Sequence, residues 1–581
     1  MWPLRRSTKS DAPVTAFAMP RLEAVPFFAG MERTALEAMG RDVTWFDLPG
    51  GRILFEENEP GDALYIVLGG ALAIDRAGQR EAEVHAGGIV GAASVLTGRP
   101  HSGTAIALRD TSLLRIPKPS FDRLLRVQPT AMMRVTAQII DRLLHRPHMR
   151  GAIVPPRTTA LLPVGGEPIL PFARALSDAL ARIGARAAIV DSSFGGKTET
   201  EFDAIEAGHN RVLYCGEDDA SSWSQLCVRR ADHVLLVVEG AAPPQPAILL
   251  PSLQAAPWRH VDLVLLQEPA RALPAPAAPW LEKIPVRSHY HLRRGHDEDM
   301  ARLARMLSDR AVGLVLSGGG ARAYGHIGVV RALREAGVHF DLLGGTSMGA
   351  IVAAGLAHEW GDEELRERML DAFVRTSPLN DVTFPLLALT RGRKVTARLQ
   401  KHFGEDRLED LWRPYFACTS NLTTGRQQLH KTGPLWRVLR ASVAIPGLLP
   451  PVIEDDQVLV DGAVINNLPV EAMTEWSRGP VIGVDVGRRE NFRGVKRGPV
   501  ARFLLGADSA APGIVTMLMR AGTIGSEAET EASRLHVDML IEPPLEGVGI
   551  RDWSDFDRAV EDGYRHTVAK LATIDLARFR S

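Results

Sequence analysis

Residues 312–320 have the sequence VGLVLSGGG, and residues 344–349 have the sequence GGTSMG. The apolar run at 312–316 predicts a buried strand, which stops at three consecutive glycines. A helical pattern of Ile327, Val330 and Leu333 follows directly. A strand, a turn that exposes backbone N–H groups and a helix N-terminus together favour an anion-receiving site.

The second segment places a serine in a sharp turn. Residues 340–343 are mostly apolar, the GxSxG motif Gly345-Thr346-Ser347-Met348-Gly349 follows, and residues 350–356 have a small-residue helical pattern. Glycines beside the serine permit the strained backbone that lifts its hydroxyl clear of the sheet. We therefore predict that Ser347 is a nucleophile.

A serine hydroxyl needs a base to take its proton. The apolar strand pattern at 458–460 ends in Asp461-Gly462-Ala463, which begins 114 residues after the nucleophile (461 minus 347). Asp461 is the favoured base. His326 is an alternative that would form a conventional triad with Ser347 and an aspartate, although its position favours a role at the start of a helix.

These three motifs, in this order, resemble the patatin-like phospholipases. In that family a Ser-Asp dyad without histidine hydrolyses acyl esters, so the resemblance implies Ser347 as nucleophile and Asp461 as base. It also implies a three-layer α/β catalytic domain and a phospholipid or lysophospholipid substrate. The remaining implied residues are the oxyanion-hole glycines Gly318, Gly319 and Gly320, the elbow glycines Gly345 and Gly349, and the motif residues Arg322 and Gly462. The family's GxGxxG pattern departs at Ala323, a mild change beside the hole.

Composition sets bounds on the class of protein. Hydrophobic residues make up 45% of the 581 residues and charged residues 24%, which is typical of a globular protein with a large core. The net charge of −1 predicts no nucleic-acid partner. Cys215, Cys227 and Cys418 lack metal-ligand spacing, which favours a reducing compartment, and we predict neither a metal nor a cofactor.

The lack of a recognisable signal peptide or spanning segment in the sequence favours a cytoplasmic protein. No apolar segment of the signal-peptide kind follows Arg5, Arg6 and Lys9, and no window has the roughly eighteen continuous apolar residues that a spanning helix requires. A lipid substrate would then be reached by peripheral contact at the inner membrane face.

Residues 1–21 are predicted to be a tail, and residues 22–145 a small β-roll. The alternating Leu64, Ile66 and Leu68, then Gly69-Gly70, then Leu72 and Ile74 predict a hairpin. The order GDALYIVLGG at 61–70 resembles a cyclic nucleotide-binding domain. That family uses a glutamate for the ribose and an arginine for the phosphate.

Both nucleotide contacts are replaced in this sequence. Ala92 stands at the glutamate position and His101 at the arginine position, with Arg99 as a possible substitute two residues earlier. Losing both charged partners predicts a retained fold without strong cyclic nucleotide binding.

Residues 158–290 show a second α/β pattern. Strands are predicted at 160–164, 187–190, 211–214 and 233–238, with a helix that carries Leu176, Leu180 and Ile183 on one face. Gly196-Lys197-Thr198 is similar to the end of a P-loop, but the first glycine of GxxxxGK[ST] falls on Asp191. We assign this domain no chemistry.

The order of the three parts, with the catalytic domain at 311–566, is similar to neuropathy target esterase and its bacterial relatives. The favoured function is hydrolysis of lysophospholipid or phospholipid acyl esters through an acyl-enzyme. The alternatives are a neutral-lipid lipase or acyltransferase, because the same dyad can pass the acyl group to an alcohol, and a lipid-linked regulatory sensor.

Several segments have two interpretations, of which one involves lipid. The basic cluster 391–394 is either a solvated loop or a contact for anionic lipid headgroups. The proline-rich segment 444–451 either lines an acyl-chain groove or packs as core. The Met and Leu stripe at 132–144 and the apolar 514–519 favour core over membrane contact. Trp553, Phe556, Val560 and Tyr564 predict a closing amphipathic helix.

Overall fold

The computed structural model describes most of the chain. The described residues are 12–13, 43–77, 79–85, 87–127, 157–217, 221–244, 260–376, 379–384, 388–476, 479–487, 526–545, 547–549 and 552–580. The chain divides into two compact units, residues 1–265 with 280–289, and residues 266–279 with 290–581. The predicted stripe at 132–144 and the apolar segment 514–519 lie outside the described residues.

Two antiparallel sheets form the β-roll predicted near the N-terminus. The first has the strand order Ala12–Pro13, Thr44–Leu48, Thr111–Pro117, Ala63–Gly69 and Ile89–Val90, and the second Ile53–Phe55, Thr104–Ala107, Ala71–Arg76 and Gln79–His85. The helices of this part are Ala92–Thr97 and Lys118–Val127. Apolar side chains of both sheets share one core, which includes Tyr65, Leu72 and Leu113.

The predicted hairpin at Gly69-Gly70 is wrong. Strand Ala63–Gly69 belongs to the first sheet and strand Ala71–Arg76 to the second, so the chain changes sheets at Gly70 instead of turning back. Gly70 has φ 90°, and a Cβ there would lie 2.6 Å from the Asp110 carbonyl oxygen. Alternation marks two strands equally well whether they pair or face each other across a sandwich.

The predicted α/β domain contains a six-stranded sheet. Its order is Ala187–Val190, Arg211–Cys215, Thr158–Val164, His233–Glu239, His260–Gln267 and Ser288–Arg293, and the pairs among the first four strands are parallel. Its helices are Ile169–Arg182, Glu199–Gly208, Ser222–Arg230 and Ala278–Leu281. Asp191 accepts the Ser193 N–H and caps a short turn after its strand.

The second unit is built around an eight-stranded sheet. Its strands are β1 (Gly313–Leu316), β2 (Leu342–Thr346), β3 (Tyr415–Asn421), β4 (Arg426–His430), β5 (Val452–Glu454), β6 (Gln457–Asp461), β7 (Val481–Val484) and β8 (Met539–Ile541). Its helices are α1 (Asp297–Met306), α2 (Gly325–Glu335), α3 (Met348–Ala357), α4 (Asp362–Met369), α5 (Arg393–Phe403), α6 (Leu435–Ser442), α7 (Val470–Trp476) and α8 (Phe556–Leu571).

The sheet order is β5-β6-β3-β2-β1-β7-β8, with β4 also paired to β3. The pairs β1-β2, β2-β3, β1-β7 and β7-β8 are parallel, whereas β6 runs antiparallel to β3. Buried apolar side chains of β1, α2, α3, α5 and α6 join one large core, and α8 closes it with Phe556 and Val560 as predicted.

The register of β3 brings the ends of two strands together. Strand β4 occupies one edge of β3 along residues 417–421, so β2 and β6 must share the other edge. There Thr346 at the end of β2 pairs with Cys418, and Asp461 at the end of β6 pairs with the next residue, Thr419. The C-terminal ends of β2 and β6 therefore meet, although the two strands are far apart in sequence.

Candidate active site

Ser347 sits between β2 and α3 in a conformation that non-glycine residues rarely adopt. Its φ is 55° and its ψ is −129°, and its side chain is 4% exposed. Backbone strain of this kind costs about 1–3 kcal/mol and concentrates at functional sites. The strain turns the chain sharply, so that the hydroxyl leaves the line of the strand.

The elbow glycines permit a close backbone approach. A Cβ on Gly349 would lie 2.3 Å from the Ser317 carbonyl oxygen, and one on Gly345 would lie 2.7 Å from the Leu316 carbonyl oxygen. Both contacts are with backbone atoms at the end of β1, which cannot move aside as a side chain can. The GxSxG spacing thus lets the elbow pack directly on the neighbouring strand.

Ser347 and Asp461 form a direct pair. The Ser347 hydroxyl donates to Asp461 Oδ2 over 2.7 Å, and the other carboxylate oxygen accepts the Ala463 N–H over 2.9 Å. Asp461 is 4% exposed. Burial raises the pKa of Asp461 from its ordinary value to about 6, while the hydrogen bonds from Ala463 and Ser347 lower it. A carboxylate is a stronger base when its pKa is raised in this way.

The glycine turn lies against the nucleophile. A Cβ on Gly318 would be 3.0 Å from the Ser347 Cβ. The Gly318 N–H donates to Asn467 Oδ1 over 3.1 Å, and Asn467 Nδ2 donates back to the Gly318 carbonyl over 3.2 Å. The Gly318 N–H, one of the three predicted oxyanion donors, is therefore already engaged by Asn467.

Ser442, at the end of α6, forms a hydrogen bond with the backbone of the elbow. Its hydroxyl oxygen accepts the Ser347 N–H over 2.9 Å and its hydroxyl donates to the Cys418 carbonyl over 2.7 Å. The buried N–H of the strained residue is thereby satisfied. Sequence reasoning missed both Ser442 and the role of Asn467. A buried serine on an amphipathic helix carries no signal, whereas Asn467 stood beside the Asp461 motif.

His326 does not contact the nucleophile. Its Nε2 donates to the Ser317 carbonyl over 2.9 Å, and burial lowers the pKa of His326 to about 4. The structure thus places Asp461, and not His326, against Ser347.

The two remaining motif residues hold the surrounding loops. Arg322 Nε donates to the Val548 carbonyl over 2.7 Å. A Cβ on Gly462 would lie 2.6 Å from the Cys418 carbonyl oxygen, so the turn after Asp461 packs on β3. Arg322 thus ties the glycine turn to the segment 547–549, and Gly462 lets the turn after Asp461 pack closely on β3.

The segment 444–451 contributes to the core and to the position of the base. Leu448 and Leu449 are buried, and the Asp461 N–H donates to the Ala444 carbonyl over 3.0 Å. Packing as core, one of its two predicted roles, accounts for these leucines.

In the β-roll, the residue at the expected phosphate contact is turned inward. His101 is buried, its ring stacks on Phe55 with centroids 3.7 Å apart, and its Nδ1 lies 3.0 Å from Ser94 Oγ. Burial lowers the pKa of His101, which favours the neutral ring. Ala92 is buried and Arg99 exposed. The weakened nucleotide site remains a prediction.

Comparison with known proteins agrees with each part of this architecture. The family model Patatin-like phospholipase matches residues 314–474, and the model Cyclic nucleotide-binding domain matches residues 46–128. The model Neuropathy Target Esterase family P-loop like domain matches residues 156–308. Fold and matches together define a patatin-like phospholipase domain preceded by a cyclic-nucleotide-binding-like β-roll and a P-loop-like α/β domain.

Curated relatives match across most of this chain. An uncharacterized NTE family protein of Mycobacterium tuberculosis is 30% identical over 592 residues, which cover 97% of this chain and 98% of the relative. Human patatin-like phospholipase domain-containing protein 6 is 31% identical over 562 residues, which cover 84% of this chain and 41% of the human protein. The chain belongs to the neuropathy target esterase (NTE) family. Among the residues that the structure describes, no helix has the length and apolarity to cross a bilayer.

The strain at Ser347 can be measured with a matched pair of variants. Ser347→Gly and Ser347→Ala both remove the hydroxyl, but glycine accepts φ 55° without a Cβ penalty. We expect Ser347→Gly to be more stable than Ser347→Ala by about 1 kcal/mol, after the greater unfolded-state entropy of glycine is included. Denaturant unfolding of both variants measures the difference. Equal stability would mean that the elbow is unstrained.

Proposed function

We propose that this protein is a serine esterase that hydrolyses acyl esters of lysophospholipids or phospholipids through an acyl-enzyme. The observation that carries the proposal is the 2.7 Å hydrogen bond from the Ser347 hydroxyl to a buried Asp461 carboxylate whose pKa is raised to about 6. The phospholipase family to which the catalytic domain belongs supports the lipid substrate.

In the first half-reaction, Asp461 Oδ2 takes the Ser347 proton as Oγ attacks the ester carbonyl carbon. The carbonyl oxygen becomes an oxyanion, and we assign its stabilisation to the N–H groups of Gly319 and Gly320. Such donors usually supply the largest single share of acyl-transfer catalysis. The intermediate collapses, the alcohol product leaves with the proton held by Asp461, and the acyl group stays on Ser347.

In the second half-reaction, a water takes the place of the alcohol. Asp461 removes its proton as the water oxygen attacks the acyl-enzyme carbonyl. Collapse of this second intermediate releases the fatty acid and returns a proton to Ser347 Oγ. One carboxylate thus acts as base and then as acid in each half, and the hydrogen bond from the Ala463 N–H orients it while Ser347 is acylated.

The test is fatty-acid release from lysophosphatidylcholine, diacyl phosphatidylcholine and a neutral glyceride by the full chain. Ser347→Ala, which keeps Asp461, measures the background. Release from either phospholipid, absent in the variant, supports the proposal. Release from the glyceride alone would point to the neutral-lipid alternative, and acyl transfer to an added alcohol in place of hydrolysis would point to an acyltransferase. If no ester is cleaved, the proposal fails and the regulatory sensor becomes the leading alternative.

The raised pKa of Asp461 predicts the pH dependence. The base must be ionised to accept the proton, so kcat/KM falls as the pH drops through about 6, by roughly tenfold per unit below it. His326 cannot produce this limb, because its pKa is lowered to about 4. The measurement is kcat/KM for a soluble short-chain ester between pH 4 and 9. An acid limb centred near 4 would contradict the buried base.

A further inference from the structure

A loop of the second unit carries apolar side chains that are exposed to solvent. This docking loop consists of the described residues 379–384 and 388–391. Val382 and Thr390 form an antiparallel bridge, and the Thr383 N–H donates to the Leu389 carbonyl over 3.0 Å. Val382 within this bridge is 70% exposed, and Phe384 just beyond it is 79% exposed. Two large apolar side chains held outward by a paired backbone are a costly feature unless something covers them.

Three cations lie at the C-terminal end of the same loop. Arg391, Arg393 and Lys394 are all exposed, and this basic collar lies where the loop passes into α5. Asp381 holds the junction through its backbone and side chain, accepting the Arg391 N–H over 3.0 Å and the Arg393 N–H over 2.9 Å. Within the described part of the chain, no carboxylate forms an ion pair with the guanidinium of Arg391 or Arg393. The Lys394 ammonium donates to the Asn380 amide oxygen.

The docking loop is bonded to the segment that positions the base. The Leu389 N–H donates to the Gly447 carbonyl over 2.9 Å, and the Thr390 N–H donates to the Leu448 carbonyl over 3.1 Å. Three residues earlier in that segment, the Ala444 carbonyl accepts the Asp461 N–H. The loop is therefore linked through this segment to the strand end that carries Asp461.

We propose that the docking loop binds the surface of an anionic lipid bilayer, with Val382 and Phe384 entering the acyl-chain boundary and the basic collar meeting the headgroups. This proposal deepens the proposed function and rests on it, because an esterase of membrane lipids must hold its site at the bilayer. An apolar tip with a cationic rim matches the layered chemistry of an anionic membrane. A protein that bound this loop would itself need an apolar pocket surrounded by carboxylates. No feature of the described residues favours such a partner over the bilayer.

Binding is tested with full-length Ser347→Ala protein, so that hydrolysis does not alter the vesicles. Co-sedimentation with vesicles of phosphatidylcholine and phosphatidylglycerol measures the partition constant. Phe384→Ser is expected to lower it about tenfold, since less apolar surface enters the bilayer. The matched control is Leu535→Ser, because Leu535 is 83% exposed but lies outside the loop. The control is expected to bind like the parent protein.

The charges are tested separately. Replacing Arg391, Arg393 and Lys394 by glutamine is expected to weaken binding to the anionic vesicles by at least about tenfold and to leave the weaker binding to pure phosphatidylcholine unchanged. Added salt should weaken binding of the parent and have little effect on the triple variant, since surface charge is screened within about 10 Å at 0.1 M salt.

Failure of this proposal is distinguishable from failure of the proposed function. In the active background, Phe384→Ser should hydrolyse a soluble short-chain ester at the parent rate and vesicle lipid at least about fivefold more slowly, as the lost partitioning requires. No vesicle binding by the parent, or equal loss with Leu535→Ser, would overturn the docking surface while leaving the esterase intact. Association of the parent with itself through Phe384, without vesicle binding, would instead assign the loop to a dimer contact. A parent that binds vesicles but cleaves no ester would overturn the esterase alone.

Discussion

Asp461→Asn is expected to lower kcat/KM for any ester substrate by at least about 10³-fold, because the base that takes the Ser347 proton is lost. The amide keeps the shape of the carboxyl and can still accept the Ala463 N–H, so the loss reports chemistry and not collapse of the turn. The measurement is hydrolysis of a soluble ester at pH 8. Retention of more than about a tenth of the activity would identify another base.

The same variant is expected to be more stable than the parent at pH 8. Burial raises the pKa of Asp461 from 3.8 to about 6, so the folded protein holds this proton more tightly than the unfolded chain. Below about pH 4 both states are protonated and ionisation costs nothing; above about pH 6 both are ionised and the cost of the buried charge is complete. Asparagine avoids that cost, about 3 kcal/mol for two pKa units.

The stability gain should therefore appear as the pH rises from about 4 to 6 and remain constant above that range. Denaturant unfolding at pH 4 and pH 8 measures it. Ser347→Ala is the control, since it abolishes activity but keeps the buried carboxylate and should show no such gain. A stability difference independent of pH would contradict the raised pKa.

Gly349→Ala is expected to disrupt the elbow itself. The added Cβ would stand 2.3 Å from the Ser317 carbonyl oxygen and 2.4 Å from that of Leu316. Overpacking against backbone typically costs about 1–3 kcal/mol or more, and a displacement of about 1 Å at a catalytic group can cost about 10²-fold in rate. We expect destabilisation of at least about 3 kcal/mol. In the protein that remains folded, we expect kcat/KM to fall by at least about 10²-fold.

Gly361→Ala is the matched control. Gly361 precedes α4 with φ −67°, and nothing lies within 4 Å of a Cβ built there. Its substitution should leave the free energy of unfolding within about 0.5 kcal/mol of that of the parent. The activity should equal that of the parent. If Gly349→Ala behaved in the same way, the close approach of α3 to the end of β1 would not be required.

The elements around the dyad could be predicted because each carries a local signal. The apolar run before the glycine turn is β1, the pattern of Ile327, Val330 and Leu333 is α2, and the run that ends at Asp461 is β6. The hairpin at Gly69-Gly70 could not be predicted correctly, since alternation reports which face is buried but not which strand lies alongside.

The residue types of the site, the order of the motifs and the family can all be read from the amino-acid sequence. Strand, glycine turn and elbow are written in consecutive residues, whose conformations depend on local sterics. How the motifs meet depends on tertiary contacts. The shared edge of β3 brings Asp461 to Ser347, burial raises the pKa of that aspartate, Asn467 engages Gly318, and Ser442 supports the strained N–H. Each of these depends on contacts between residues far apart in the chain, which no local pattern encodes.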